Sequence, residues 1–220
     1  MDAIQCIRER MSIRKFRPDP VPKETIVEIL DAARWSPSYK NSQPWEVVVV
    51  SGRKKEELTK MLLELLEKDE KPSPDLPEPT SWPEPEQRRI EALMLKRARA
   101  FGRDLIDPAA LKEAKKANFS FYGAPWGIFL FQDASLSLWS LFDMGLFAQS
   151  LMIAAKAKGL GTVPQAFLTD YAPHIKRFLG IPETKRLVIG ISIGYPDLGS
   201  PENSIRSDRS PLSEFVRWVE

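Results

Sequence analysis

Residues 36–50 read Ser36-Pro37-Ser38-Tyr39-Lys40-Asn41-Ser42-Gln43-Pro44-Trp45-Glu46-Val47-Val48-Val49-Val50. The second part, from Trp45 to Val50, is β-branched and almost wholly apolar, which predicts a strand buried on both faces. The first part is a loop dense in amide and hydroxyl groups. Such a loop can meet a heteroaromatic ring edge with donors and acceptors alike, or it can simply connect two elements. Upstream, Ile26, Ile29, Leu30 and Ala33 recur at three- and four-residue spacing, which predicts a helix over 23–35 that stops at Ser36-Pro37. Downstream, Leu58, Met61, Leu62 and Leu65 form the stripe of a second helix over 54–68.

Further out the same mixture continues. Residues 2–11 set Ile4 and Ile7 on one face of a short helix. Residues 124–132 (APWGIFLFQ) predict a second buried strand, and 138–158 the most apolar helix, with Met144, Leu146, Phe147, Leu151, Met152 and Ala155 spread around it. A helix apolar nearly all round belongs at the centre of the fold or at a subunit contact. Gly159-Leu160-Gly161 caps it, a short strand or loop follows over 162–167, then a short helix over 170–179 and a strand over 187–193. Helices and strands mix without regular βαβ alternation, so the class is α+β rather than a doubly wound sheet. From about 67 to 118 the pattern breaks. Pro72, Pro74, Pro77, Pro79, Pro83 and Pro85 lie among acidic residues around Trp82, which suits an exposed excursion and neither a helix interior nor a central strand. A helix resumes near 86 and runs past 99, with further turns over 108–118.

Composition narrows the chemistry. The 220 residues are 43% hydrophobic and 28% charged, the globular range for one ordinary domain or two small ones. Lys and Arg number 32 against 30 Asp and Glu, a net charge of +2, too small for a broad nucleic-acid surface. No apolar run approaches the roughly 20 residues that span a bilayer, and no apolar segment of a secretory signal follows Met1. Cys6 is the only cysteine and His174 the only histidine, so a disulfide, a thiolate-rich metal site and a His-based metal site are not expected. What remains is a soluble protein of a reducing compartment, the cytoplasm, binding no nucleic acid, membrane or metal. Its chemistry comes from a cofactor or from carboxylates. Cys6 sits at apolar spacing and reads as core, and His174 as a surface or cap residue. No nucleophile–base–orienter set can be assembled.

Three other segments carry chemistry. In Arg10-Met11-Ser12-Ile13-Arg14-Lys15, Arg10, Ser12 and Arg14 point one way along extended backbone. Such a comb suits a phosphate and the polar chain attached to it, or a solvated basic turn. Gly159-Leu160-Gly161-Thr162-Val163-Pro164-Gln165-Ala166 is no GxGxxG fingerprint, because the spacing is wrong and a helix precedes it. Arg206-Ser207-Asp208-Arg209 is either a solvated turn or the completion of a phosphate site begun by Arg10.

The order and spacing of these segments resemble the FMN-dependent nitroreductase family. Its R-x-S-x-R/K element is matched by Arg10, Ser12 and Arg14. Its P-S-x-x-N-x-Q-P-W loop is matched by Pro37, Ser38, Asn41, Gln43, Pro44 and Trp45. The G-L-G-T element falls at Gly159 to Thr162, and a C-terminal arginine turn at Arg206 to Arg209. The likeness spans about 1–65 and 120–215. It implies one domain over 1–220, with a central mixed or antiparallel sheet flanked by helices, in an intertwined homodimer with FMN at the subunit interface. Arg10, Arg206 and Arg209 would hold the phosphate. Met11 and Ser12 would lie along the cofactor, and Arg14 near flavin N1 and the C2 carbonyl, stabilising the reduced ring. Pro37, Ser38, Tyr39 and Asn41 would come from the other subunit. Pro164, Gln165 and Ala166 would line the ring, with a backbone N–H near N5, although the acidic residue and glycine common at this place are absent. Trp82 would serve as a lid over the substrate. The implied activity is NADH- or NADPH-dependent reduction of nitroaromatics, quinones or similar electron-poor acceptors by ping-pong hydride transfer. A dehalogenation or enone or azoline redox reaction at the same site, and a flavin binder without turnover, stay open at this point.

Overall fold

A computed structural model describes residues 2–102 and 107–220. Residues 103–106, inside the 67–118 excursion, lie outside the described part. The strands are β1 (Glu46–Ser51), β2 (Trp126–Asp133), β3 (Gly161–Gln165) and β4 (Lys185–Gly194), and every pairing is antiparallel in the order β1-β2-β4-β3. Seven helices accompany them among the described residues: α1 (Ala3–Glu9), α2 (Lys23–Ala33), α3 (Gly52–Glu67), α4 (Glu84–Phe101), α5 (Pro108–Phe119), α6 (Trp139–Ala157) and α7 (Ala172–Leu179). The class is α+β, as the patterning implies.

The sheet is the partition between two cores. Along β2, Phe129 and Phe131 face one cluster with Leu58, Leu62, Phe119 and Ile175, while Ile128 and Leu130 face the other with Ile26, Ile29, Met144, Phe147 and Leu151. The period of two in β2 thus feeds helices α3, α5 and α7 on one side and α2 and α6 on the other. Strand β1 departs from the expectation of burial on both faces. It is an edge strand, and Val47, Val48 and Val49 are only partly buried. β3 forms the opposite edge, which is why it tolerates Pro164, whose missing N–H is needed only where both neighbours pair.

Two apolar faces stay open in the single chain. Cys6 is buried, but Ile4 and Ile7 on α1 are exposed. Helix α6 buries one side, and Trp139 and Phe142 on the other side are 65% and 62% exposed. The Pro-rich stretch before α4 forms no regular element, as its composition requires, yet it is not free. Asp75 accepts a hydrogen bond from the Leu187 backbone N–H (2.7 Å) and another from Lys176 Nζ (3.1 Å), and Ser73 N–H reaches the Asp170 carbonyl (2.6 Å). Lys176 is almost wholly buried, so this contact fastens the excursion to α7 and the start of β4. No helix among the described residues is long and apolar enough to cross a membrane.

Candidate functional site

The N-terminal comb is laid onto the sheet edge by backbone pairing. Ser12 bridges Thr162 in parallel, Ile13 N–H donates to the Thr162 carbonyl (3.0 Å), and Arg17 N–H donates to that of Tyr195 (2.9 Å). The approach requires glycine at 161: a Cβ there would stand 2.5 Å from Ile13 Cγ1 and 3.2 Å from Pro196 Cβ. Asn203, buried in a short turn, ties the two ends of the chain together. Its Oδ1 accepts from Arg14 N–H (2.7 Å), and its Nδ2 donates to the carbonyls of Lys15 (2.8 Å) and Asp197 (2.7 Å). Sequence reasoning passed over Asn203, because an Asn in a turn carries no signal of a partner 189 residues away.

This clamp delivers Arg206 and Arg209 to Arg10. The Arg10 guanidinium is half-buried at the end of α1, and its buried Nη1 has no hydrogen-bond partner. Burial first, then the charges of Arg209 and Arg206, push it below the ordinary guanidinium value. Arg209 is braced by the Ser207 carbonyl and hydroxyl and by the Asp208 carbonyl, and Asp208 is paired with Lys96 of α4 (2.9 Å). Three guanidiniums meeting with a buried N–H left over are unfavourable alone and favourable around an anion.

Arg14 serves a different neighbour. With Lys15 it lines a cavity of about 670 Å³ whose other walls are the end of β3 with Pro164, Gln165 and Ala166, and helices α4 and α5. Gln165 is buried, and its amide is fully engaged. Nε2 donates to the Asn118 carbonyl (3.0 Å) and Oδ1 (3.2 Å), while Oε1 accepts from Ser192 Oγ. Asn118 Nδ2 donates in turn to Tyr122 Oη (2.8 Å) and to the Ala114 carbonyl (2.8 Å). The side chain of Gln165 therefore holds the cavity floor, and only its backbone is left to meet a ligand. Phe121 and Tyr122 beside it have positive φ, a local strain that a fixed floor sustains.

The loop of 37–41 is elsewhere. Tyr39 N–H donates to both carboxylate oxygens of buried Asp143 on α6 (3.2 Å each), and its ring stacks on Trp139. The Ser38 hydroxyl accepts from Gln43 N–H (2.9 Å). Lys40, Asn41 and Gln43 have positive φ, so the loop is held in a shape its residues do not prefer. Pro37, Ser38, Tyr39 and Asn41 do not line the cavity of their own chain. Neither does Trp82, which stands half-exposed before α4; Met94, Arg97 and Phe101 of α4 do. Met11 packs against the core, and His174 lies at the surface 3.9 Å from Glu70.

Residues 7–195 match the Nitroreductase family. The chain belongs to that family. Among similar proteins, nitroreductase NfnB of Mycolicibacterium smegmatis is 36% identical over 219 residues, covering 98% of this chain and 92% of that protein. A 4-nitrobenzoate reductase of Pseudomonas putida is 32% identical, covering 97% and 93%. The crystal structure of the FMN-dependent nitroreductase NfnB from Mycobacterium smegmatis in complex with NADPH superposes with a TM-score of 0.94 at 33% identity, covering 99% of this chain and 98% of that one. The family match ends at residue 195. Arg206 and Arg209 are expected from the resemblance, whereas Asn203 enters the site on geometry alone.

Proposed function

We propose that this nitroreductase-family chain is an FMN-dependent oxidoreductase that uses NADH or NADPH to reduce nitroaromatic, quinone or similar electron-poor acceptors, as a cytoplasmic homodimer of one domain per chain. The observation that carries the reading is the arginine cluster. A phosphate monoester supplies the acceptor oxygens that Arg10 Nη1 lacks and the negative charge that three crowded guanidiniums need. FMN ends in such a phosphate, so the residues present fit the group. When bound, FMN supplies the redox chemistry, taking hydride from NAD(P)H in one half-reaction and reducing the acceptor in the next.

The chain's own residues divide the remaining work. Arg10, Arg206 and Arg209 bind the phosphate, and Met11 and Ser12 continue the cradle toward the cavity. Arg14 places a fixed cation on the cavity wall, where it stabilises negative charge on a bound ring without reorganising. Pro164, Gln165 and Ala166 give a wall of backbone and apolar surface, kept rigid by the Gln165–Asn118–Tyr122 chain of hydrogen bonds. Pro37, Ser38, Tyr39 and Asn41 complete the site of a second copy. This is supported by their distance from their own cavity and by the exposed aromatic surface around them, where Trp35 is 78% and Trp139 65% exposed.

The purified protein tests this directly. We expect flavin bands near about 370 and 450 nm, set by the flavin itself, which bleach on anaerobic addition of NADH or NADPH and return on addition of a nitroaromatic. A protein that stays colourless after incubation with FMN refutes the assignment.

A further inference from the structure

The cavity is lined by two further cations that the flavin reading leaves unused, Lys15 and the more deeply placed Arg97. Arg97 of α4 lines it together with Arg14. Its guanidinium is half-buried and makes no hydrogen bond or ion pair with any described residue. Burial first, and then the charge of Arg14, hold it below the ordinary guanidinium value, with Tyr122 acting weakly the other way. The carboxylates on the same wall are engaged elsewhere: Glu113 pairs with Lys116 (3.1 Å), and Glu202 accepts from the Ser200 hydroxyl. Met94, Phe101, Leu111 and Phe167 give the cavity apolar surface, while Lys15, Asn118, Ser120, Tyr122 and Gln165 add polar groups to its lining. A cavity with apolar patches, a basic wall and an unpaired, partly desolvated guanidinium suits a flat ring bearing an anionic group. The opposite case, a cationic acceptor, is disfavoured by two like charges in low dielectric.

We propose that Arg97 is a specificity-determining residue that binds the carboxylate of an anionic aromatic acceptor, so that this enzyme prefers carboxylated nitroaromatics to neutral ones. The inference rests on the flavin oxidoreductase reading above and deepens it. It belongs to the acceptor and not to FMN, whose phosphate has its own arginines at 10, 206 and 209. Arginine suits the task because its planar fork matches both carboxylate oxygens at once and stays charged despite partial burial.

The test compares FMN-loaded wild-type enzyme with Arg97→Gln and Arg97→Lys, using 4-nitrobenzoate and nitrobenzene as acceptors and benzoate as a non-reducible competitor. We expect Arg97→Gln to lower the ratio of kcat/KM for 4-nitrobenzoate over nitrobenzene by about ten- to a hundredfold, the range for a charge-assisted pair. The loss should fall on KM, benzoate inhibition should weaken by a similar factor, and Arg97→Lys should recover part of both. An unmoved acceptor ratio with unmoved benzoate inhibition overturns the proposal. So does a change confined to NADPH against NADH, which would assign Arg97 to the nucleotide's extra phosphate. If the wild-type enzyme binds FMN and bleaches with NAD(P)H while Arg97→Gln leaves the acceptor ratio unmoved, the Arg97 assignment alone falls. A wild-type chain that binds no FMN sinks the flavin reading and this inference with it.

Discussion

One wall of the cavity is made by Arg14 and Lys15, at the end of the 10–15 segment, and by residues 163–167, and the facing wall by α4 and α5. The first is fastened by backbone pairs and by a buried Asn203 with three hydrogen bonds. The second relies more on side-chain charges, Lys96 to Asp208, Lys112 and Lys116 to Glu67, and Lys115 to Asp170, with the C-terminal end of α5 also held by buried Asn118 and Phe119. Helix α4 buries no residue fully. Backbone pairs fix position to fractions of an ångström, whereas long charged side chains allow an element to shift and re-pair. On the proposed reading, cofactor binding, which needs one geometry, belongs to the first wall and selection among acceptors to the second.

The sharpest way to break that division is at Arg10. Arg10→Gln removes the buried donor on which the phosphate reading depends, and FMN affinity should fall about 30- to 100-fold, equivalent to about 2–3 kcal/mol. Flavin fluorescence titration measures it. The sign of the effect on the empty protein is opposite. A cation held below its ordinary value is less favourable charged in the folded state than in the unfolded one, so the variant apoprotein should melt above wild type while the FMN complex melts below it. An apoprotein destabilised by Arg10→Gln would make Arg10 a structural residue.

The next largest effect tests how the second wall is anchored. Asp75→Ala leaves Leu187 N–H unpaired and removes a carboxylate from buried Lys176, which keeps only Glu183 (3.0 Å) and the Lys185 carbonyl (3.3 Å). We expect a loss of about 2 kcal/mol, or about 4–8 °C in Tm, by calorimetry. FMN affinity should move much less, since Asp75 touches nothing in the first wall. A comparable loss of both would mean the two walls stand or fall together.

Gly161→Ala should cost somewhat less, about 1–2 kcal/mol, because the new Cβ meets Ile13 at 2.5 Å and the comb must yield. Here FMN affinity should fall with stability, since Ser12 and Arg14 ride on the displaced segment. A variant that melts lower but binds FMN normally would show that the comb tolerates a slip along β3.

The same contrast explains what was legible in the sequence. Elements follow from local pattern: the period of two in β2 and the stripes of α2 and α3 each report a burial face directly. The segments that meet at the first wall are legible too: arginines, a hydroxyl and a tight glycine stand in a fixed order in the sequence, and the structure brings the 10–14 segment onto Gly161 and Thr162. Two kinds of fact were hidden. The edge position of β1 depends on which strands pair, and WEVVVV reads alike at an edge or in a centre. The cavity face of α4 depends on where the chain returns after an excursion rich in proline. Trp82 drew attention as the large aromatic of that excursion, while Arg97 looks like one more charge on a solvated helix until α4 is placed opposite Arg14. Asp75 is the same case: nothing around it in sequence points to Leu187.

The smallest predicted effect lies where α5 meets α3. Glu67, at the end of α3, accepts from Lys112 (3.0 Å) and Lys116 (3.2 Å) on α5, and these bonds lower its carboxyl below the ordinary value of 4.5. A depressed carboxylate stabilises the fold above its unfolded value and stops doing so as pH falls through the folded one. Glu67→Gln should therefore lower Tm only slightly at pH 7, by about 1–2 °C, because the group is exposed and screened. The difference should shrink in 1 M salt and vanish as pH drops below the usual carboxylate range. If the difference instead persisted at low pH and high salt, Glu67 would act through packing rather than charge, and α5 would be held to α3 by the buried Phe119, Leu58 and Leu62 contact without help from the ion pairs.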